Sequence, residues 1–115
     1  MKPIRFHPAA DTEMLDAAVW YESQQCDLGK RFLASVQDAL NRIELNPGLY
    51  AYVDGDVRRC LTKTFPFGVL FRVKTDYIAI MAVMHLHRDP DYWKDRKIDH
   101  HIEMAVAESQ ETYGR

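Results

Sequence analysis

The chain predicts an α+β domain: a small, mostly antiparallel sheet with an N-terminal helical hairpin packed on one face, in the order β-α-α-β-β-β, followed by a C-terminal helix. Three observations predict it. Two segments with apolar residues at helical spacing occupy the first half, a few residues apart. Three β-prone segments follow, with connections short enough to force antiparallel pairing. The last of them, Tyr77 to Met84, is an unbroken apolar run with β-branched residues, the pattern of a strand buried on both faces.

Each element has its own reason. Ile4-Arg5-Phe6 is a short β-prone segment that must pair with the sheet or stand as an orphan. Pro8 suits the first turn of a helix. From Ala9 to about Gln25, Met14, Ala18 and Tyr21 share a face, with Asp11 and Glu13 near the positive end of the helix. Asp27 is placed to N-cap a second helix, striped by Phe32, Val36, Leu40 and Ile43 and stopped by Asn46-Pro47-Gly48. Tyr50 to Asp56 reads as a loop with an Asp54-Gly55-Asp56 turn. Strands are expected over 57–64, 68–74 and 77–86, with a turn at 75–76. Residues 91–113 read as helical, with Ile98, Ile102 and Ala105 or Val106 on one face and Asp99, Glu103, Glu108 and Glu111 on the other. That tail docks on the core, packs against a second copy, or frays. The chain thus divides into a domain over 1–97 and an extension over 98–115.

Composition sets the outer limits. A chain of 115 residues is one domain that can build a core without disulfides or metals. No segment is apolar enough to span a bilayer, and MKPIRFHP lacks the apolar stretch of a signal peptide, so a cytoplasmic protein is expected. Cys26 and Cys60 are widely spaced and read as reduced thiols. No Gly-rich loop or GxxxxGK motif supports a nucleotide cofactor, and none is expected. The net charge of −2 is unevenly spread: nine Lys/Arg against four acids over 57–97 make that stretch basic, and both flanks are acidic. A basic face suits an acidic protein segment or nucleic acid, and the pI of 6.2 weighs against the latter.

His85, His87, Arg88, Asp89, Tyr92 and Trp93 gather where the last strand ends. His85 and His87, two apart, would share a strand face; without a matched third ligand no metal site is expected. His87 beside Arg88 suits acid–base work, or is a strand-end histidine bonded to Asp89 or backbone. Asp89 pairs with Arg88 or caps the final helix. Tyr92 and Trp93 read as core anchors ahead of base-stacking groups. Arg72 in mid-strand is structural if an acid pairs it, and part of a binding groove if left open.

In order and spacing, the chain resembles the RelE/ParE superfamily of toxins from type II toxin–antitoxin pairs, and within it the ParE-like, plasmid-stabilisation branch. The resemblance runs from about Arg5 to Lys94. It is carried by Ala17-Ala18-Val19-Trp20-Tyr21-Glu22, Leu28-Gly29-x-x-Phe32-Leu33, Ala39-Leu40-x-x-Ile43-x-x-Asn46-Pro47 and Val57-Arg58-Arg59. It continues through Phe65-Pro66-Phe67-x-Val69-x-Phe71-Arg72-Val73 and Ala82-Val83-x-His85-x-His87-Arg88-Asp89-Pro90-x-x-Trp93.

The resemblance implies a cytoplasmic toxin silenced by an antitoxin whose flexible tail wraps the helical hairpin; the assembly is left open between a homodimer and a heterotetramer with the antitoxin. It implies a target, DNA gyrase in characterised members of this branch. Target contacts would fall on Arg58, Arg59, Lys63, Arg72, His85, His87 and Arg88. Antitoxin contacts would fall around Trp20, Tyr21, Phe32 and Val36 unless these are wholly core. RelE-like relatives instead cleave mRNA on the ribosome; an enzyme of that kind would use His87, Arg88, Arg72 and Arg59, with Arg58 and Lys63 beside them. Gly68 stands where such enzymes place an arginine, which counts against cleavage.

Overall fold

The computed structural model describes residues 1–97. Strand β1 is Ile4–Phe6, helix α1 Pro8–Gln24 and helix α2 Leu28–Leu45; a 3-10 turn, Pro47–Leu49, leads to β2 Tyr52–Asp54, β3 Val57–Leu61, β4 Phe67–Val73 and β5 Ile78–His85. The five strands lie in the order β1-β5-β4-β3-β2. β1 joins β5 in parallel, and the other pairings are antiparallel. The expected α+β class and element order hold.

Several boundaries differ from expectation. The stretch read as a loop, 50–56, contains β2, a fully exposed edge strand folded onto β3 across Gly55, whose φ is +52°. Arg58 pins it: Nη1 donates to the carbonyls of Gly48 (3.2 Å) and Tyr50 (2.6 Å), and Nη2 to the Tyr52 hydroxyl (2.6 Å). β3 stops at Leu61 and not at 64, because the buried Thr62 hydroxyl donates to the Phe65 carbonyl and Thr64 adopts φ +74°. Residues 91–95 form turns, not the start of a helix. The rest of that expected helix, with the Ile98 face, lies outside the described residues.

Both helix starts use partners other than those the sequence suggested or left unnamed. His7 caps α1: its Nδ1 accepts from the Ala9 N–H at 3.0 Å. Asp27 sits at the head of α2 in the left-handed region and its side chain caps nothing. Glu22 reaches over from α1, accepting from the N–H groups of Asp27 (2.9 Å) and Gly29 (3.0 Å). A carboxylate there satisfies donors that the new helix leaves free.

His7 carries a pH dependence. Burial, then the positive charge of Arg96, hold its pKa below the ordinary 6.5, against an opposing pull from Glu13. The folded state therefore favours the neutral ring, whose Nδ1 must accept. The contribution is complete above the unfolded pKa and is lost as pH falls through the lower folded value. We expect stability to fall between about pH 7 and pH 5 more steeply than in His7→Asn, which caps without titrating in that range. Urea midpoints at both pH values check this; parallel curves refute it.

The core lies between the hairpin and one sheet face. Phe32, Val36, Ala39 and Ile43 of α2 meet Val69 and Phe71 of β4 and Ile78, Ile80 and Val83 of β5. The helices touch where Gly29 faces α1. A Cβ there would stand 2.4 Å from the Ala18 carbonyl oxygen and 3.0 Å from Glu22 Cβ. Gly29→Ala gains about 1 kcal/mol of helix propensity, yet it must push backbone aside. We expect a net loss of about 2 kcal/mol, read from thermal unfolding; an unchanged or raised Tm would refute the close contact.

One irregularity in β5 decides which side chains face the helices. Leu70 pairs with Ala82 and Phe71 with Ile80, leaving Met81 as an extra residue. Such a bulge reverses the alternation beyond it. Val83 therefore joins the helix-side core with Ile78 and Ile80. Ala79, Met81, Ala82 and Met84 lie with Val57 and Leu70 in a smaller cluster on the other face, beneath Trp93. Trp93 is 2% exposed, a core anchor as expected.

Candidate functional site

The bulge carries His85 to the helix side. Its ring stands edge-on to Phe67 at 5.2 Å and lines an apolar groove with Ala17, Trp20 and Tyr21 of α1. Trp20, expected among the antitoxin contacts unless wholly core, is 57% exposed at the groove's rim. Tyr21 is half-buried beneath it, in ring contact with Trp20 (5.1 Å), Phe32 (5.2 Å) and Phe65 (4.9 Å). Phe32 and Val36 are 0% exposed. They are wholly core, the condition under which they make no surface contact.

β5 ends at His85, so His87 belongs to the following turn and not to the strand, and the two do not share a strand face. The His87 N–H donates to His85 Nδ1 at 3.1 Å, with the rings 5.2 Å apart. Asp89 neither pairs with Arg88 nor starts a helix; its Oδ1 accepts from the Asp91 N–H.

Beside this groove lies an arrangement that sequence reasoning missed. The β1 side of β5 loses its strand partner after the His7 N–H donates to the Ile80 carbonyl. Side chains take over from there. Arg96 Nη1 donates to the Met81 carbonyl (3.1 Å), and Glu13 Oε1 accepts from the Val83 N–H (3.1 Å). Glu13 and Arg96 bind each other in bidentate fashion, both bonds 2.9 Å, with side chains only 12% and 15% exposed. Arg88 adds a longer contact to Glu13 (3.4 Å) and stacks on the Tyr92 ring at 3.6 Å. Glu13 read from sequence as a helix-end acid. Its position one turn before Ala17, at the margin of the apolar stripe, was the only local hint.

The other basic candidates are dispersed. Arg58 shares the face of Cys60 and is held by the carbonyls before β2. Arg59 points to the opposite face, its stem across Gly68 where a Cβ would be 3.0 Å from Arg59 Cδ. Its guanidinium makes no hydrogen bond or ion pair among the described residues. Arg72 is bound to Asp56 at 2.8 Å, which by the sequence criterion is a structural role. Lys63 lies 3.9 Å from Asp38. Phe67 pairs with His85, and Arg72 is five residues further along β4, roughly 17 Å away at ~3.4 Å per residue. Arg72 and the histidines thus occupy opposite ends of the sheet.

Both cysteines are free, Cys26 exposed and Cys60 buried. Burial pushes the Cys60 thiol up, against the nearby Arg42 guanidinium. Glu22, Cys26 and Asp27 cluster at the hairpin turn, but both Glu22 oxygens already accept backbone N–H groups. Among the described residues no helix is long and apolar enough to cross a membrane.

A family model described as the ParE toxin of the type II toxin–antitoxin system, parDE, matches residues 4–90. Among solved structures, a chain from a chromosomal ParDE toxin–antitoxin system of P. aeruginosa is similar, with a TM-score of 0.57 and 18% identity, covering 76% of this chain and 98% of that one. At that identity the likeness concerns the fold. No curated protein matches the sequence.

Proposed function

The chain belongs to the ParE toxin family, and on that premise we propose that it is a toxin silenced by a cognate antitoxin and arresting growth by binding DNA gyrase, without catalysis of its own. The observation that carries binding over catalysis is the dispersal of the basic groups. In-line RNA cleavage needs a base at the 2′-hydroxyl and cations at one phosphate. Arg72 is engaged by Asp56, Arg88 leans on Glu13, and the strand register separates Arg72 from His87 by most of the sheet. Gly68 offers no charge, and the Arg59 stem fills the space above it.

The remaining surface suits protein partners. The apolar groove at Trp20 and Tyr21 supports an antitoxin contact, where an aromatic anchor on a rigid helix contributes most. The exposed β2 edge and Arg59 support a role in target contact, as do His85, His87 and Arg88 at the end of β5.

The test is DNA supercoiling by purified gyrase with ATP and added protein. Loss of supercoiling, or linear cleaved plasmid, is the expected result. Unchanged supercoiling by folded protein that still arrests growth would overturn the gyrase target and turn attention to RNA, with His87→Ala as the next variant.

A further inference from the structure

We propose that the cleft between β2, the sheet face away from the helices and the 90–94 turn is a binding site for one carboxylate side chain, a glutamate of a protein partner, held by Arg59. The cleft has a volume of about 80 Å³. That is roughly five times the space one water needs, so a water underfills it and a side-chain end of a few heavy atoms fits. Leu70 and Met84 on its floor and Pro90 on its wall are apolar and suit a methylene stem. Its polar groups indicate what that stem carries.

Two donors that line the cleft lack partners. The Arg59 guanidinium makes no hydrogen bond or ion pair among the described residues. Trp93 is 2% exposed, and its indole N–H is covered and has no acceptor among the described residues. An acceptor entering the cleft reaches that N–H by a tilt of the ring. An unpaired cation and an unpaired N–H together call for an acceptor that bears negative charge. The acids at the rim are already engaged: Lys94 Nζ lies 2.8 Å from Asp91 and 3.8 Å from Asp54. Arg59 is thus the lining cation without an acid. The same two acids argue against a nucleic-acid strand, which presents a row of phosphates and calls for several free cations. A protein carboxylate brings one charge, and an arginine can meet it with two parallel N–H bonds. Gly68 makes room for this, because the Arg59 stem lies where a Cβ would stand 3.0 Å from Arg59 Cδ.

That the partner is the toxin's target rests on the binding reading above; the carboxylate site itself does not, and its test contains no gyrase. Indole N–H resonances of the full chain read it directly. The chain has two tryptophans, and Trp20→Phe assigns the Trp93 signal. Sodium propionate, which carries the end of a glutamate side chain, is expected to shift that signal downfield and to saturate, where equal sodium chloride does not. Arg59→Gln keeps the stem across Gly68 and removes the charge. It should weaken propionate roughly tenfold and leave unfolding unchanged, since Arg59 is exposed. A Trp93 signal that does not saturate with propionate, or that neutral propionamide shifts equally, overturns the proposal. Dimethyl phosphate binding more tightly than propionate also overturns it, by assigning the cleft to nucleic acid. Saturable propionate binding alongside unaffected gyrase would retain the site and discard that target.

Discussion

Replacing Glu13 with alanine is expected to lower the stability of the domain by about 3 kcal/mol. The substitution leaves Arg96 largely buried without its carboxylate and the Val83 N–H without an acceptor. Removing one member of a buried ion pair costs about 3–5 kcal/mol. Some relief is available here, since Arg96 keeps the Met81 carbonyl and can swing toward water, so the lower end applies. Such a loss is a large share of a total near 5–15 kcal/mol. Glu13→Gln should lose less, because its amide oxygen can still serve Val83. Arg96→Ala should resemble Glu13→Ala, and the double variant should fall well short of the sum of the two. Urea unfolding with an unchanged m value measures all four chains. A Glu13→Ala chain within about 0.5 kcal/mol of the parent would refute the role of the pair in closing the β5 edge.

The second large effect is on binding. Trp20→Glu is expected to weaken the cognate antitoxin by roughly 30- to 1000-fold, or about 2–4 kcal/mol. The ring is more than half exposed, so its loss should barely change unfolding. It puts a charge into a groove lined by Ala17, Tyr21, Phe67 and His85. Titration calorimetry gives the affinity, and co-expression gives growth arrest that the antitoxin no longer relieves. Unchanged affinity would move the antitoxin to another surface, the β2 edge being the first to examine.

Much of the fold was legible because local pattern carries it. The stripe of Phe32, Val36 and Ile43 predicts α2 and its buried face, and all three are core. β1 and the bodies of β4 and β5 fall where alternation and apolar runs placed them. β2 escaped notice because its three residues are all exposed and show no alternation. Asp27 was misread because a cap supplied from another helix leaves no mark at the capping position. Sequence left Trp20 open between core and surface, because α1 is apolar on more than one side and composition does not say which side is covered.

The α+β class, with a helical pair ahead of the sheet, follows from periodicity and turn residues, which are properties of neighbours along the chain. The distribution of the basic and aromatic groups follows from contacts between elements far apart in the chain. One extra residue at Met81 turns His85 toward α1, and alternation read from sequence assumes an unbroken register. The Glu13–Arg96 pair spans 83 positions, and it forms because β1 is too short to pair the whole of β5. An unpaired strand edge must find donors and acceptors wherever the fold brings them.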